Sequence, residues 1–361
     1  RRSVDLVIVM MRISDMDLIT FGTQVKELYK NKPIILLAFD ESEIKQLPED
    51  KSQFLDSVFV WAGNSNVFPA IIKCIEDTKN VKRDTRKGDV RSIIYIEDTA
   101  RYYSSILPLI YKETLFHTKQ LIDKSLNNTQ RLLHMRGRPK VLLSQDYEKA
   151  ERYFKQYKNN ILGIISDIRF PKNGKLHSNA GTLFAKYIHS IECSMPILLL
   201  SNEEEALELA RDVTPNVLNK NSSTLFSDLR EFMINNFGFG DFIFKLPDGE
   251  EIGKVSTVDE LLEFIVDIPE ESLDYHASKN HFSNWLAARG EFKLATQFRK
   301  LKGTDFKDID ERRNHHINLI QNTQKTRRIG SVAEFRPKTK KSKANFLRIG
   351  TGSLGGKARG L

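Results

Sequence analysis

With 361 residues and 40% hydrophobic content, the chain can fill the cores of two or three domains, which excludes a disordered protein. Its formal net charge of +9 is local: residues 321–361 hold 11 basic side chains, Lys325 through Arg359, against the single acid Glu334, so that segment is +10 and the other 320 residues sum to −1. The body has no general attraction for polyanions, and a nucleic-acid partner is not expected.

In chain order, VDLVIVM (4–10), PIILLAF (33–39) and SVFVWA (57–62) read as strands, with helical stretches around 18–30 and 41–52 between them. The charged run KNVKRDTRKGD (79–89) then interrupts the apolar pattern and reads as a linker. Five further strands follow: RSIIYIE (91–97), PKVLLS (139–144), ILGIIS (161–166), PILLLS (196–201) and NVLN (216–219). Short β-branched runs alternating with charge-rich amphipathic stretches are the pattern of parallel strands and crossover helices, so the expected class is α/β with a doubly wound sheet. From about 240 the pattern changes to FIFKLPDGEEIG, where Asp248-Gly249 favours a hairpin turn, and then to helices carrying Leu261–Phe264 and Asn284–Ala288. From 321 the chain is basic, contains Pro337 and has few large apolar residues before Phe346, as a linker does. No repeat of solenoid period is present.

Cys74 and Cys193 lie far apart without CxxC spacing, so cysteine builds neither a disulfide framework nor a zinc site, and a reducing cytoplasm fits best. No apolar run approaches the roughly 18 residues needed to span a bilayer, so no membrane association is expected. The chain starts Arg1-Arg2-Ser3 and ends GGKARGL within a glycine-rich motif, and it reads as a fragment of something longer.

Acidic residues fall at particular strand ends. Glu97 and Asp98 close the first strand after the charged run, and Asp167 follows the third. In a doubly wound sheet the carboxyl ends of neighbouring strands converge on one crevice at the switch in strand order. Three carboxylates there repel one another unless a hard cation neutralises them, and oxygen ligands suit Mg2+. Ser201 closes the fourth strand and Lys220 follows the fifth, adding a hydroxyl and an ammonium to the same rim.

That order of acidic pair, Asp, Ser and Lys resembles the receiver domain of two-component response regulators over most of 91–236. Asp167 lies in SDIRFPKNG, similar to the family's phosphoacceptor loop, with Pro171 four residues after the aspartate. The resemblance implies a five-stranded flavodoxin-like sheet, Asp167 as the nucleophile that accepts a phosphoryl group, and Glu97 and Asp98 holding Mg2+ beside it. It further implies that Ser201 contacts the phosphate and Lys220 pairs with it, with a carboxylate serving as nucleophile once a cation screens the incoming group. Asn221 stands where the family commonly has proline, and Val217 where an aromatic switch residue is common. A usual output mechanism is therefore not implied.

The first segment has a similar run, DLVIVMMRISDMD, but Met10 occupies the acceptor position, Ala38 the hydroxyl position and Trp61 the place of the lysine. A thioether cannot carry phosphate, so this segment is expected to be a degenerate receiver that lacks its first two strands, with Asp15 and Asp17 solvated in a loop. His276 and His281, five residues apart, do not share a helical face as i, i+4 zinc ligands do; His281 is expected at the surface or at a cap, and His315-His316 on a polar helix face.

The terminal RIGTGSLGGKARGL is not a P-loop, because Thr351 and Ala358 occupy positions that require glycine and Ser/Thr. It resembles the opening glycine loop of the nucleotide-binding domain of phosphoenolpyruvate synthase and pyruvate phosphate dikinase. By that resemblance Gly355, Gly356 and Lys357 touch ATP phosphates in the full-length protein.

The expected layout is a degenerate receiver over 1–80, a linker over 81–90, an intact receiver over 91–236 and a connector over 237–320. A basic linker over 321–346 and the start of a nucleotide domain over 347–361 complete it. The fold expectation is thus tandem receiver-like sheets with a helical connector. The functional one is a regulatory region, not itself catalytic, that controls a downstream phosphoenolpyruvate synthase-like phosphotransferase. Its partners are a phosphodonor kinase or small acyl phosphate, the downstream catalytic domains, and a second copy of the chain. The alternative is a response regulator whose basic tail binds nucleic acid; an autonomous magnesium phosphatase is disfavoured because no general acid is evident.

Overall fold

In the computed structural model, which describes residues 4–12, 16–48, 54–125, 131–132, 134–135 and 137–334, the chain opens with a three-stranded parallel sheet. Its strands β1 (Val7–Met10), β2 (Ile34–Ala38) and β3 (Ser57–Val60) run in sequential order, with α1 (Leu18–Leu28) and α2 (Glu41–Lys45) in the connections. Asp17 is exposed and also caps α1, accepting the Thr20 N–H at 2.9 Å. Asp15 lies outside the described residues.

Next comes α3 (Val67–Gly88), which runs through residues expected to be a linker. Most charges of that run are exposed on the helix, but two acids of α3 meet partners that the local sequence does not show. Asp77 is fully buried and accepts from Arg138, from the Val141 N–H at 2.9 Å and from the Tyr111 hydroxyl at 3.2 Å, while Asp84 meets Lys140 at 3.0 Å. These contacts fasten α3 to the start of the following sheet.

That second sheet holds five parallel strands: β4 (Ser92–Ile96), β5 (Lys140–Ser144), β6 (Ile161–Asp167), β9 (Ile197–Ser201) and β10 (Val217–Asn219), in spatial order β10-β9-β6-β4-β5. The expected strands are all present, and the order is the doubly wound one with its switch between β4 and β6. The two sheets therefore have three and five strands, the first built from the three apolar runs of its segment. Successive residues of β4 serve opposite cores: Ile93 and Tyr95 pack with Val141, Leu143 and Ile165, and Ile94 and Ile96 with Leu142, Ile164 and Leu199. A strand buried on both faces must be apolar throughout, which is why these runs do not alternate with polar residues.

Helices cover both faces. On one side α4 (Ala100–Asp123) contributes Tyr103, Ile106, Leu107 and Ile110; on the other, α5 (Tyr147–Tyr157) and α6 (Ala180–Ile191) contribute Phe154, Phe184 and Ile188. Each such fully buried side chain stabilises the fold by roughly 1.5–3 kcal/mol. The sheet is completed by α7 (Glu204–Arg211) and α8 (Leu225–Asn236). Between β6 and α6, β7 (Phe170–Lys172) and β8 (Lys175–His177) form a hairpin, turned by Asn173 and Gly174, both at positive φ.

A hairpin of β11 (Phe242–Lys245) and β12 (Glu251–Val255) follows, with Gly249 at φ 98° in its turn, as the Asp-Gly pair implies. Five helices complete the region: α9 (Val258–Phe264), α10 (Glu270–Ser278), α11 (His281–Ala288), α12 (Phe292–Lys300) and α13 (Ile309–Glu334). Their core is aromatic, with Phe242 stacked on Phe282 at 4.9 Å and edge-on to Trp285 at 5.7 Å. His316, expected on a polar helix face, is instead buried edge-on against Phe298 at 4.7 Å, since α13 turns that position inward. His281 opens α11 and, partly buried, meets His276 Nδ1 to Nδ1 at 3.0 Å. The chain divides into two units, Arg1–Gln321 and Asn322–Leu361; of the second, the described part is the end of α13. Among the described residues no helix is long and apolar enough to cross a membrane.

His117, on α4, places Nδ1 2.9 Å from the Phe239 carbonyl and Nε2 2.9 Å from that of Ala288. A neutral imidazole can donate to only one of them. Burial outweighs both carbonyls and pushes this histidine down to about 4; burial likewise lowers His316 to about 4 and His276 to about 3. With folded values below the ordinary 6.5, the unfolded chain takes up protons that the folded one refuses, so these histidines remove stability as pH falls from about 6.5 towards 4. Urea unfolding of wild type and His117→Gln at pH 7 and pH 5 checks this: the wild type should lose about 1–2 kcal/mol more than the variant over that interval. Equal losses would contradict it.

Candidate functional site

The carboxyl ends of β4, β6, β9 and β10 place five groups around one crevice. Glu97 and Asp98 leave β4, and Asp167 is the last residue of β6. Oxygens of these three carboxylates lie within 4.8 Å of one another. Lys220, just after β10, reaches in from the side: its ammonium is 2.6 Å from Glu97 Oε2 and 2.9 Å from Asp167 Oδ2, with the side chain only 2% exposed. Its backbone N–H donates to the Ser201 carbonyl at 2.7 Å, which ties the lysine to the end of β9.

Local backbone geometry holds the carboxylates still. The Thr99 N–H donates to Glu97 Oε1 at 3.1 Å where α4 begins, and the Ile168 N–H donates to Asp167 Oδ1 at 2.8 Å. Behind Asp167, the Gly181 N–H in the first turn of α6 donates to the Ile168 carbonyl at 2.9 Å. A Cβ at Gly181 would drive into the Asp167 carbonyl oxygen, so only glycine allows α6 to back the loop this closely.

Burial and mutual repulsion set the charges. Burial pushes Glu97 up to about 7, against the pull of Lys220 and with help from Asp167. Burial also raises Asp98, reinforced by the Asp167 charge, and raises Asp167 despite the lysine. For Lys220 burial acts downward, but Glu97 and Asp167 outweigh it and hold the ammonium above its ordinary value. Three carboxylates against one ammonium leave two negative charges when all are ionised, and a divalent cation is the group that cancels them. The oxygen donors and the residual charge fit Mg2+, which Glu97, Asp98 and Asp167 would hold.

Ser201 closes β9 on the same rim, in register with Asn219, and is buried. Its hydroxyl oxygen accepts the Glu203 N–H at 3.1 Å, so its own hydrogen remains available to donate. At the mouth, Arg169 and Glu203 pair at 3.1 Å with both side chains exposed. The residue that sequence reasoning missed is Tyr102, whose ring centre is 4.3 Å from the Lys220 ammonium. An aromatic one turn into the helix behind the acidic pair was the available signal.

The other expected positions do not join this crevice. Met10 and Ala38 end β1 and β2, and Trp61 follows β3 and packs on Phe39 and Phe68, so no carboxylate cluster forms there among the described residues. Gly355, Gly356 and Lys357 lie outside the described residues.

No family model matches the chain, and no curated protein does. Among solved structures, the chain is similar to a response regulator receiver domain protein from Clostridium thermocellum. The identity is 17%, over 41% of this chain and 94% of that one, with a TM-score of 0.29.

Removing one partner of a buried ion pair strands the other, typically at a cost of about 3–5 kcal/mol. Lys220→Met should therefore destabilise the chain by about 3 kcal/mol or more in urea unfolding at pH 8, and adding Glu97→Gln should restore part of that loss. Additive losses would show that Lys220 and Glu97 are not coupled.

Proposed function

We propose that the five-stranded domain is a magnesium-dependent phosphoacceptor module and that Asp167 is its nucleophile. The observation that carries this reading is the sharing of one buried ammonium between Glu97 and Asp167 at the switch point of the sheet. A structural ion pair needs one carboxylate; here two share a single lysine while a third, Asp98, lies beside them, and the surplus negative charge faces the strand ends, where ligands of such sheets bind.

The reaction is a phosphoryl transfer from a small acyl phosphate or a phosphorylated kinase. A bond forms between an Asp167 carboxylate oxygen and phosphorus while the bond from phosphorus to the donor atom breaks, and the donor leaves with the electron pair, as acetate from its oxygen in the case of acetyl phosphate. Mg2+ bound by Glu97, Asp98 and Asp167 would supply charge neutralisation for the phosphoryl oxygens. Lys220 already lies 2.9 Å from Asp167 Oδ2 and needs only a small shift to meet a phosphoryl oxygen on that atom. The Ser201 hydroxyl, with its hydrogen still to donate, is placed to bond another.

A phosphoacceptor of this kind is regulatory: its charge state changes, and neighbouring parts of the chain respond. Control of a downstream phosphoenolpyruvate synthase-like phosphotransferase is part of the same proposal, and it rests on residues 347–361 of the sequence alone.

On treatment with acetyl phosphate and Mg2+, the wild type should gain one phosphoryl group in intact-mass analysis and Asp167→Asn none. Equal labelling of both would remove Asp167 from the role. By calorimetry, Glu97→Gln combined with Asp98→Asn should weaken Mg2+ binding at least tenfold, because two anionic ligands are lost.

A further inference from the structure

Lys220 is held by three side chains. Glu97 and Asp167 take two directions of its ammonium, and the ring of Tyr102, in the first turn of α4, covers a third at 4.3 Å. Tyr102 is itself partly buried, and its N–H donates to the Thr99 carbonyl at 3.1 Å, so the ring is carried by the same turn that holds Glu97.

These three contacts fare differently in the reaction proposed above, on which this inference rests. Once Asp167 is esterified, it no longer offers a full carboxylate charge. Glu97, when it holds a divalent cation, shares its charge with that cation, and the cation repels the ammonium. Only the attraction of the aromatic face is chemically unchanged by either event. The lysine meanwhile follows the negative charge to the phosphoryl oxygens while the ring still covers it.

We propose that Tyr102 is a positioning residue for Lys220, holding the ammonium on the path between Asp167 and the phosphoryl group. The ring works through its face, so phenylalanine should replace it and an aliphatic residue of similar size should not.

The test uses the full chain, with acetyl phosphate as phosphodonor and beryllofluoride as the phosphoryl mimic. Tyr102→Phe should label within about twofold of wild type, whereas Tyr102→Leu should label about three- to thirtyfold more slowly at saturating Mg2+, the range that cation–π contacts span. Beryllofluoride affinity, followed by fluorine NMR, should fall in parallel for the leucine variant. Mg2+ affinity by calorimetry should stay that of wild type in both, since Tyr102 is not a ligand. Tyr102→Met takes the place of leucine if that variant does not fold. Leucine labelling as fast as phenylalanine would overturn the proposal, and so would a loss of Mg2+ affinity as large as the loss of rate. If the wild type itself takes no phosphate, the phosphoacceptor reading fails and this inference falls with it; a labelled wild type with an unaffected leucine variant rejects Tyr102 alone.

Discussion

The Lys220 ammonium is removed from water and set between Glu97 at 2.6 Å and Asp167 at 2.9 Å, and each buried ion costs several kcal/mol that only close attraction offsets. That attraction is available only if strand ends far apart in sequence meet at one point. Glu97 follows β4, Asp167 ends β6 and Lys220 follows β10, so the strand order with its switch beside β4 is what brings them together. The pair is also incomplete as a structural device, because Asp98 adds a third carboxylate that the lysine does not neutralise. A fold selected for stability alone gains nothing from such a surplus, since apolar residues of similar volume commonly do as well as a buried ion pair.

The helix that begins at this crevice also supports its surroundings. The first turn of α4 holds Glu97 through Thr99 and covers Lys220 with Tyr102. The next residues reach the first sheet: the Tyr103 hydroxyl donates to the Val58 carbonyl, and Ser104 Oγ accepts the Val60 N–H at 2.9 Å. Further along, His117 places its two ring nitrogens against the Phe239 and Ala288 carbonyls, in the loop after α8 and at the end of α11. A single rigid element thus touches the site, the three-stranded sheet and the aromatic C-terminal helices.

Much of this was open to inference from the residues. The five strands of the second sheet are buried on both faces, so their β-branched runs stand out against charged helices, and the five polar strand-end residues could be placed on one rim before any contact was known. Asp248-Gly249 marked its hairpin because a turn with positive φ leaves a chemical trace. The same trace at Asn173-Gly174 lies inside the run SDIRFPKNG, whose resemblance to a phosphoacceptor loop masks the hairpin it turns. What could not be read locally was pairing across distance. The charged run 79–88 looks like a linker until Asp84 within it, and Asp77 just before it, find Lys140 and Arg138 some sixty residues away. His316 looks polar beside Arg312 and Arg313 until Phe298 packs on it. Tyr102 carries no motif at all; its meaning comes from a lysine that arrives through β10.

The central claim is chemical, that Asp167 forms an acyl phosphate, and borohydride trapping tests it most directly. Acyl phosphates of aspartate are reduced by borohydride to homoserine, whereas a free carboxylate and phosphoesters of serine or threonine are not. After treatment with acetyl phosphate and Mg2+, reduction and peptide mass spectrometry should find homoserine at position 167 and unmodified aspartate at position 98. Homoserine at Asp98, or none anywhere in a chain that has gained phosphate, would contradict the assignment.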